Sequence, residues 1–148
     1  MSQASTKIYR AKSVITDKFQ VEVTARNHTI HFDEPAPISN DVGMTPLEGL
    51  LGAIGACKSI VAKVTAKKMG IDYRALEIIV EGDFDSRGYQ GDPDFDIGFS
   101  DIRTIYQIDS DASEEKLKQL MNYVDAHCPA AATIKDSAPM NSTLKRLS

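Results

Sequence analysis

The sequence predicts an α+β protein with antiparallel strands and two long helices in its 148 residues. Three observations predict this class. Segments near the N-terminus and between positions 75 and 109 alternate apolar and polar residues, a pattern typical of half-buried strands. A strong helix start signal stands at Thr45. A second segment, which ends near Cys128, carries apolar residues at helical spacing.

Three alternating segments open the chain: TKIYRAKSVI, FQVEVTAR and HTIHFDE. A tight turn at Arg26 and Asn27 joins the second to the third, so these strands are expected to form an antiparallel meander. The stretch EPAPISNDVG, rich in Pro, Asn, Asp and Gly, then predicts a loop.

The first long helix is predicted from Thr45 to about Met69. Thr45 is the expected N-cap, Pro46 takes the first helical position, and Glu48 completes a capping box three residues after the cap. Gly70 is the expected C-terminal stop.

The second half of the chain predicts a hairpin and a second long helix. ALEIIVEGDFD and DIRTIYQID are the expected strands, separated by the acidic loop SRGYQGDPDFDIGFS. SDASEEKLKQLMNYVDAHC has Ser and Asp capping candidates and two glutamates in its first turn, and Pro129 is expected to end this helix. APMNSTLKRL is expected to add a last short strand.

Composition limits the possible functions. A chain of this length with 42% hydrophobic residues predicts one domain over residues 1–148. The net charge of -4, without a cluster of Lys and Arg, argues against a nucleic-acid partner. No export signal or membrane-spanning apolar run is recognised, so we expect a cytoplasmic protein with no membrane partner. In that reducing compartment the two cysteines are not expected to be a structural staple.

Gly49, Gly52 and Gly55 lie inside the predicted first helix, where each costs about 1 kcal/mol relative to alanine. At helical spacing they form a face of small side chains, which predicts close approach of another backbone, most plausibly a second helix. This helix could belong to the same chain or to a second subunit. The opposite side is a bulky apolar arc with Cys57 at its edge, so we expect Cys57 to be buried or nearly so. The arc comprises Leu47, Leu50, Leu51, Ile54, Val61 and Val64.

Cys128 also falls on an apolar stripe, that of the second helix, and should point inward. Two hypotheses follow for the cysteines. Both are small hydrophobic residues of a core, or Cys57 is a peroxidatic thiol and Cys128 resolves its sulfenic acid as a disulfide.

A peroxidatic thiol must ionise near neutral pH, whereas burial raises its pKa. The dipole of the first helix cannot compensate, because Cys57 lies well beyond the first turn. Lys58 projects about 100° away from Cys57, so an arginine from elsewhere is required. Arg26 is the first candidate and Arg10 the second.

The segments GMTPLEGLLGAIGAC, KKMGIDYRALEIIVEGDFD and YVDAHCP together resemble the osmotically inducible protein C and organic hydroperoxide resistance family, OsmC/Ohr. The resemblance runs in order from about Phe19 to Leu147. It implies an OsmC-like fold that forms an intertwined homodimer with its central helices packed together. It also implies that Cys57 attacks organic hydroperoxides, that Cys128 resolves, and that a thiol or dithiol reductant restores the enzyme without a cofactor.

The sequence departs from the family pattern near the active site. Leu47 stands where the best-studied branch has an arginine-binding glutamate, and Glu48 is its neighbour, so Glu48 either orients the arginine or only caps the helix. Ala130 follows Cys128-Pro129 where a branched apolar residue is usual. The chain is therefore closest to the OsmC-like branch.

Together with the resemblance, the sequence predicts a peroxidase in which Cys57 is the nucleophile and Cys128 resolves. Arg26 is expected to activate Cys57, and Glu48 to orient the arginine. Leu50, Ile54, Met121 and Val124 are the expected lining of an apolar pocket that favours organic hydroperoxides. The alternative is a non-catalytic dimer of the same fold that binds a small apolar ligand or senses oxidant stoichiometrically. A third possibility is an interaction protein with two inert thiols.

No metal site is expected. The three histidines and two cysteines lack the spacing of zinc ligands. DFDSRGYQGDPD resembles the start of a calcium loop, but Arg87 occupies a ligand position and the flanking segments predict strands.

Overall fold

The computed structural model describes residues 5–147 as two compact units, the first ending at Leu50 and the second beginning at Leu51. The prediction of one domain over residues 1–148 stays a prediction, and residues 1–4 and 148 of that range lie outside the described residues. The fold is α+β, with two small antiparallel sheets and four helices in the described chain. The predicted class is therefore confirmed.

The first unit contains the expected antiparallel meander. Strands β1 (Lys12–Ile15), β2 (Val21–Ala25) and β3 (His28–Phe32) form one sheet in sequential order. Arg26 adopts a φ of 55° in the tight turn between β2 and β3. The first strand is shorter than predicted, because residues 6–11 have no regular structure. Asp33, buried just after β3, accepts hydrogen bonds from the N–H groups of Glu34 (2.8 Å) and Val42 (3.1 Å) and so fixes the following loop.

Helix α1 (Pro46–Met69) begins and ends where the sequence predicts. The Thr45 N–H donates to Glu48 Oε1 (2.9 Å), and the Glu48 N–H donates to Thr45 Oγ1 (3.2 Å), which is the expected capping box. Gly70 follows the helix with a φ of 69°, a conformation that favours glycine.

The second unit contains the predicted hairpin. Strands β4 (Ala75–Phe84) and β5 (Phe99–Asp109) pair antiparallel, with Ile78 opposite Tyr106 and Val80 opposite Thr104. These four side chains lie on the half-buried face of the hairpin. The connecting loop holds one short helical turn, α2 (Ser86–Tyr89), capped by Asp85. Asp85 also pairs with Arg87, which accounts for two residues of the segment that resembles a calcium loop.

Helix α3 (Glu114–His127) is capped by Ser113, whose Oγ accepts from the Lys116 N–H at 3.2 Å. A further helix, α4 (Pro129–Asp136), follows at once and was not predicted. The predicted last strand is wrong: residues 138–147 have no regular structure, and no described segment pairs with them. Their apolar side chains are 94–98% exposed: Met140, Leu144 and Leu147.

The core of the second unit lies between α1, α3 and the hairpin. Its buried members are Ala62, Ala66, Ile71, Leu120 and Val124. Half-buried side chains from β4 and β5, such as Leu76, Tyr106 and Ile108, pack against them. Because α1 and α3 share this core, the elements that carry the two cysteines are held side by side.

The apolar arc predicted for α1 is only partly buried. Ile54 is 3% exposed, but Leu50 and Val64 are 38% and 51% exposed, and Lys58 is buried at 7%. The inward face of α1 is therefore rotated relative to the prediction, since its buried residues are Ile54, Gly55, Lys58, Ala62, Thr65 and Ala66.

The three helical glycines have different surroundings. A Cβ at Gly49 would overlap the ring of Phe32, and a Cβ at Gly55 would meet Val80 Cγ2 at 3.4 Å. No described atom comes within 4 Å of a Cβ built at Gly52. Two of the glycines thus face neighbours in this chain, and Gly52 alone of the three faces open space.

By length and composition α1 could cross a membrane, a test that the core helix of a soluble protein also passes. It carries the buried Lys58 on the face that packs inside the second unit. The predicted absence of a membrane partner stays a prediction.

Candidate active site

The two thiols come together inside the second unit. Cys57 lies on α1 and is half-buried, whereas Cys128 lies between α3 and α4 and is 1% exposed. Both cysteines are free, and their side chains are close enough to interact directly. The inward orientation predicted for Cys128 is confirmed, and Cys57 retains some contact with solvent. Cys57 is therefore the more accessible of the two thiols, and Cys128 is the more buried.

The first turn of α4 directs backbone N–H groups at both sulfurs. Cys128 is the C-cap of α3 and the N-cap of α4, and its Sγ accepts from the Ala131 N–H at 3.5 Å. The Ala130 N–H donates to Cys57 Sγ. Helix N-termini favour negative charge, because their N–H groups lack partners within the helix. The end of α4 thus supplies hydrogen-bond donors to both sulfurs, and the donor from Ala130 favours a thiolate on Cys57.

Sequence reasoning considered only the dipole of α1 and missed this contribution. The signal is present in the sequence, because proline is favoured at the first position of a helix and Pro129 follows Cys128 directly. Pro129 ends α3, as predicted, and also begins α4.

The protonated form of Cys57 is favoured in this chain. Burial is the largest cause and raises the pKa of Cys57, and the neighbouring Cys128 thiol raises it further. The hydrogen bond from the Ala130 N–H lowers the pKa but does not offset these effects. Ionisation of Cys57 near neutral pH therefore needs a further positive group.

Lys58, the neighbour of Cys57, is buried and belongs to a polar cluster that the sequence did not predict. Its Nζ donates to Asp125 Oδ1 at 3.0 Å and to Thr104 Oγ1 at 2.9 Å. The Tyr106 hydroxyl donates to the same Asp125 oxygen at 2.5 Å. Burial and this hydrogen bond raise the pKa of Tyr106, so its hydroxyl stays protonated. Helical spacing alone could not show that Lys58 is buried or that the Asp125 carboxylate accepts from it.

The predicted activating residues lie in the first unit. Arg26 is exposed in the β2–β3 turn, and it lines one open cleft together with the second candidate, Arg10. Glu48 performs the capping role, and the hydrogen bond from the Thr45 N–H lowers the pKa of its carboxyl. No ion pair within residues 5–147 joins Arg26 to Glu48. The roles of Arg26 and Glu48 toward Cys57 stay predictions.

The predicted pocket residues occupy different environments. Ile54 and Val124 are buried at 3% and 0% exposure, Met121 is half-buried, and Leu50 belongs to the first unit. The pocket that they were expected to line stays a prediction. Among the described residues, no group of three or more His, Cys, Asp or Glu side chains is arranged to hold a metal ion.

Comparison with known proteins finds relatives of this sequence. The sequence model of the OsmC-like protein family matches residues 39–143. A hydroperoxide reductase of Mycoplasma pneumoniae is 27% identical over 123 residues, which cover 83% of this chain and 77% of the relative. A hydroperoxide reductase of Mycoplasma genitalium is 25% identical over 131 residues, which cover 86% and 87% of the two chains.

The fold is also found among solved structures. The crystal structure of an OsmC-like protein from Mycoplasma pneumoniae superimposes with a TM-score of 0.78 at 24% identity and covers 88% of this chain and 89% of the other. The two chains therefore share the same fold.

The interaction between the two thiols predicts how the pKa of Cys57 responds to mutation. In a Cys128→Ala variant this pKa should fall, because the thiol that raises it is gone and the Ala130 N–H remains. Alkylation of the Cys57 peptide by iodoacetamide, followed by mass spectrometry across neutral and alkaline pH, measures the change. The wild-type midpoint should lie above that of an ordinary thiol, and the variant should react faster at neutral pH. An unchanged or higher midpoint in the variant would contradict the interaction.

Proposed function

The chain belongs to the OsmC-like protein family, and from this premise we propose that it is a thiol-dependent peroxidase that reduces organic hydroperoxides. Two relatives at 25–27% identity are hydroperoxide reductases, which supports a role in peroxide chemistry. The observation that carries the proposal is the pairing of two free thiols at the N-terminus of α4. A nucleophilic thiol beside a second thiol provides the two groups that a sulfenic acid and disulfide cycle uses.

In the first step the Cys57 thiolate attacks the terminal oxygen of the hydroperoxide. The O–O bond breaks, the alkoxide leaves and takes up a proton, and Cys57 becomes a sulfenic acid. Cys57 is suited to this role because it keeps contact with solvent, whereas Cys128 is almost completely buried.

In the second step Cys128 resolves the intermediate. Its sulfur attacks the Cys57 sulfenic acid, a disulfide forms and water is released. An external thiol or dithiol then returns both cysteines to thiols by two exchanges, so no bound cofactor is required. In the reducing cytoplasm, where we propose the protein acts, such reductants are available.

Activation of Cys57 combines two sources of positive potential. The Ala130 N–H already lowers the pKa of Cys57, in opposition to burial. We assign the remaining contribution to Arg26, with Glu48 orienting its guanidinium, as the family resemblance implies. An arginine suits this purpose because it stays charged at all relevant pH values and can bind a carboxylate through two N–H groups.

Organic hydroperoxides are the proposed substrate class. Ile54 and Val124 are apolar and buried in the unit that holds both cysteines, and Met121 is half-buried. An alkyl group that enters such surroundings gains about 25 cal/mol for each Å² of apolar surface buried. Hydrogen peroxide has no alkyl group, so its binding gains no free energy from burial of apolar surface.

We also propose that the protein is a homodimer whose subunits meet along the α1 face that contains Gly52. This glycine costs helix stability, and no described atom approaches the space that a side chain would fill. A helix of a second copy would use that space. The exposed apolar side chains of α1, such as Ile60 at 68%, add to the surface that association would cover.

The raised pKa of Cys57 favours one alternative. A thiol that is mostly protonated at neutral pH reacts slowly, as suits a dimer that binds an apolar ligand or senses oxidant once per molecule. Such a protein would form one disulfide without sustained turnover. Repeated turnover with a dithiol therefore separates the two functions.

The proposal predicts that turnover depends on Cys57. With cumene hydroperoxide and a dithiol reductant, Cys57→Ser should abolish activity, because an alcohol is a far weaker nucleophile than a thiolate. Cys128→Ser should oxidise once and then stall or recycle slowly. Peroxide consumption over many turnovers is the measurement, and full activity of Cys57→Ser would refute the assignment.

The same assay compares the two candidate arginines. Arg26→Met should lower the rate by about 10-fold or more and shift the pH profile upward, since loss of about 1.4 kcal/mol is tenfold. Arg10→Met is the matched control, because Arg10 lines the same cleft. A larger loss of rate in Arg10→Met than in Arg26→Met would identify Arg10, and not Arg26, as the residue that activates Cys57.

The dimer predicts an unusual effect of a small substitution. In a monomer, Gly52→Ala should stabilise α1 by about 1 kcal/mol. In the proposed dimer the added methyl group overfills a close helix contact and should weaken association by about 1–3 kcal/mol. Sedimentation velocity over a concentration series measures the dimer, with Lys68→Ala as control, because Lys68 is exposed on α1 about 160° around the helix from Gly52. A monomeric wild type, or a Gly52→Ala dimer of unchanged affinity, would contradict the proposed interface.

A further inference from the structure

Lys58 is a buried cation that the proposed chemistry does not use. It is 7% exposed, and its Nζ donates to Asp125 on α3 and to Thr104 on β5. Tyr106 of β5 donates to the same Asp125 oxygen and places its ring 5.9 Å from Lys58 Nζ. The cluster therefore joins three separate elements of the second unit through one carboxylate.

Burial of a lysine is costly for the fold. The ammonium loses its hydration, and a well-packed apolar side chain of similar length would avoid that cost. Asp125 keeps much of its solvent contact, with 45% of its side chain exposed, so it accepts Lys58 at the edge of the core. Stability alone does not explain a lysine at this position.

The position of the cluster relative to the thiols suggests its purpose. Lys58 follows Cys57 directly on α1, and Asp125 lies about one helical turn before Cys128 on α3. The ion pair thus ties together the two chain segments that must approach each other when a disulfide forms.

We propose that Lys58 and Asp125 are positioning residues for the resolving step, an inference that rests on the proposed function. After peroxide attack, the Cys57 sulfenic acid has two fates. It condenses with the Cys128 thiol to give a disulfide and water, or a second hydroperoxide oxidises it to sulfinic acid and leaves as the alcohol. By holding α3 against α1, the ion pair keeps Cys128 within reach and favours the disulfide.

Two variants and a control test this role. Lys58→Met keeps the length of the side chain without its charge, and Asp125→Asn keeps the volume of its partner. Lys118→Met is the control, because it removes an exposed ion pair with Glu114 (3.5 Å) from the same α3 helix. The reduced full-length proteins are treated with increasing cumene hydroperoxide, and mass spectrometry follows sulfenic acid, disulfide and sulfinic acid with time.

We expect sulfenic acid to form at the wild-type rate in both variants. Disulfide closure should slow by roughly tenfold or more, since small misplacements of reacting groups cost rate on that scale or beyond. Sulfinic acid on Cys57 should accumulate at peroxide concentrations that the wild type and Lys118→Met tolerate. A purely structural role would not separate the two steps, because partial unfolding would change the first oxidation as well.

The outcomes distinguish this inference from the proposed function. If the wild type forms a disulfide and both variants partition between disulfide and sulfinic acid as it does, the positioning role is overturned and the peroxidase proposal stands. If the wild type reacts with no hydroperoxide, both are overturned. Should Lys58→Met fail to fold by circular dichroism, Asp125→Asn at its half-exposed position decides the question.

Discussion

The closeness of two sulfurs at the start of α4 is the constraint on which the rest of the site depends. Cys57 is held by α1, which packs into the core of the second unit, and Cys128 ends one helix and caps the next. Neither position relies on a flexible loop. Because helix ends carry backbone N–H groups without helical partners, the junction that brings the sulfurs together also supplies hydrogen-bond donors for them. Geometry and electrostatics therefore come from the same few residues.

The site balances two opposing effects on the thiol. Burial favours the protonated form of Cys57, while the Ala130 N–H favours the thiolate, and burial is the stronger effect within this chain. The first unit holds Arg26 and Arg10, which line one open cleft there. Arg26 is our proposed source of the missing positive charge, and Arg10 is the second candidate.

Local chemistry made much of this fold predictable. The capping box from Thr45 to Glu48 is formed by residues close in sequence, so this four-residue segment was enough to predict the start of α1. The inward direction of Cys128 followed from the apolar stripe of α3. The family resemblance rests on motifs around both cysteines, and the family model covers them. Helix α4 was not predicted but could have been, because proline is favoured at the first position of a helix as well as after a helix end.

Features that depend on contacts between residues far apart in sequence could not be predicted from local sequence patterns. The burial of Lys58 requires Asp125 and Thr104 from two other elements, and helical spacing on α1 contains no information about them. The last strand was predicted without a pairing partner, whereas a strand exists only where another strand pairs with it. Gly55 was expected to face a second helix but faces Val80 of β4.

Treatment of the reduced protein with one molar equivalent of cumene hydroperoxide tests the central claim most directly. We predict that the mass of the chain falls by two hydrogens and that proteolysis yields a peptide in which Cys57 is bonded to Cys128 of the same chain. Thiols that remain intact, or a stable oxygen adduct on Cys57 with Cys128 still free, would contradict the claim that the two sulfurs are placed to react with each other.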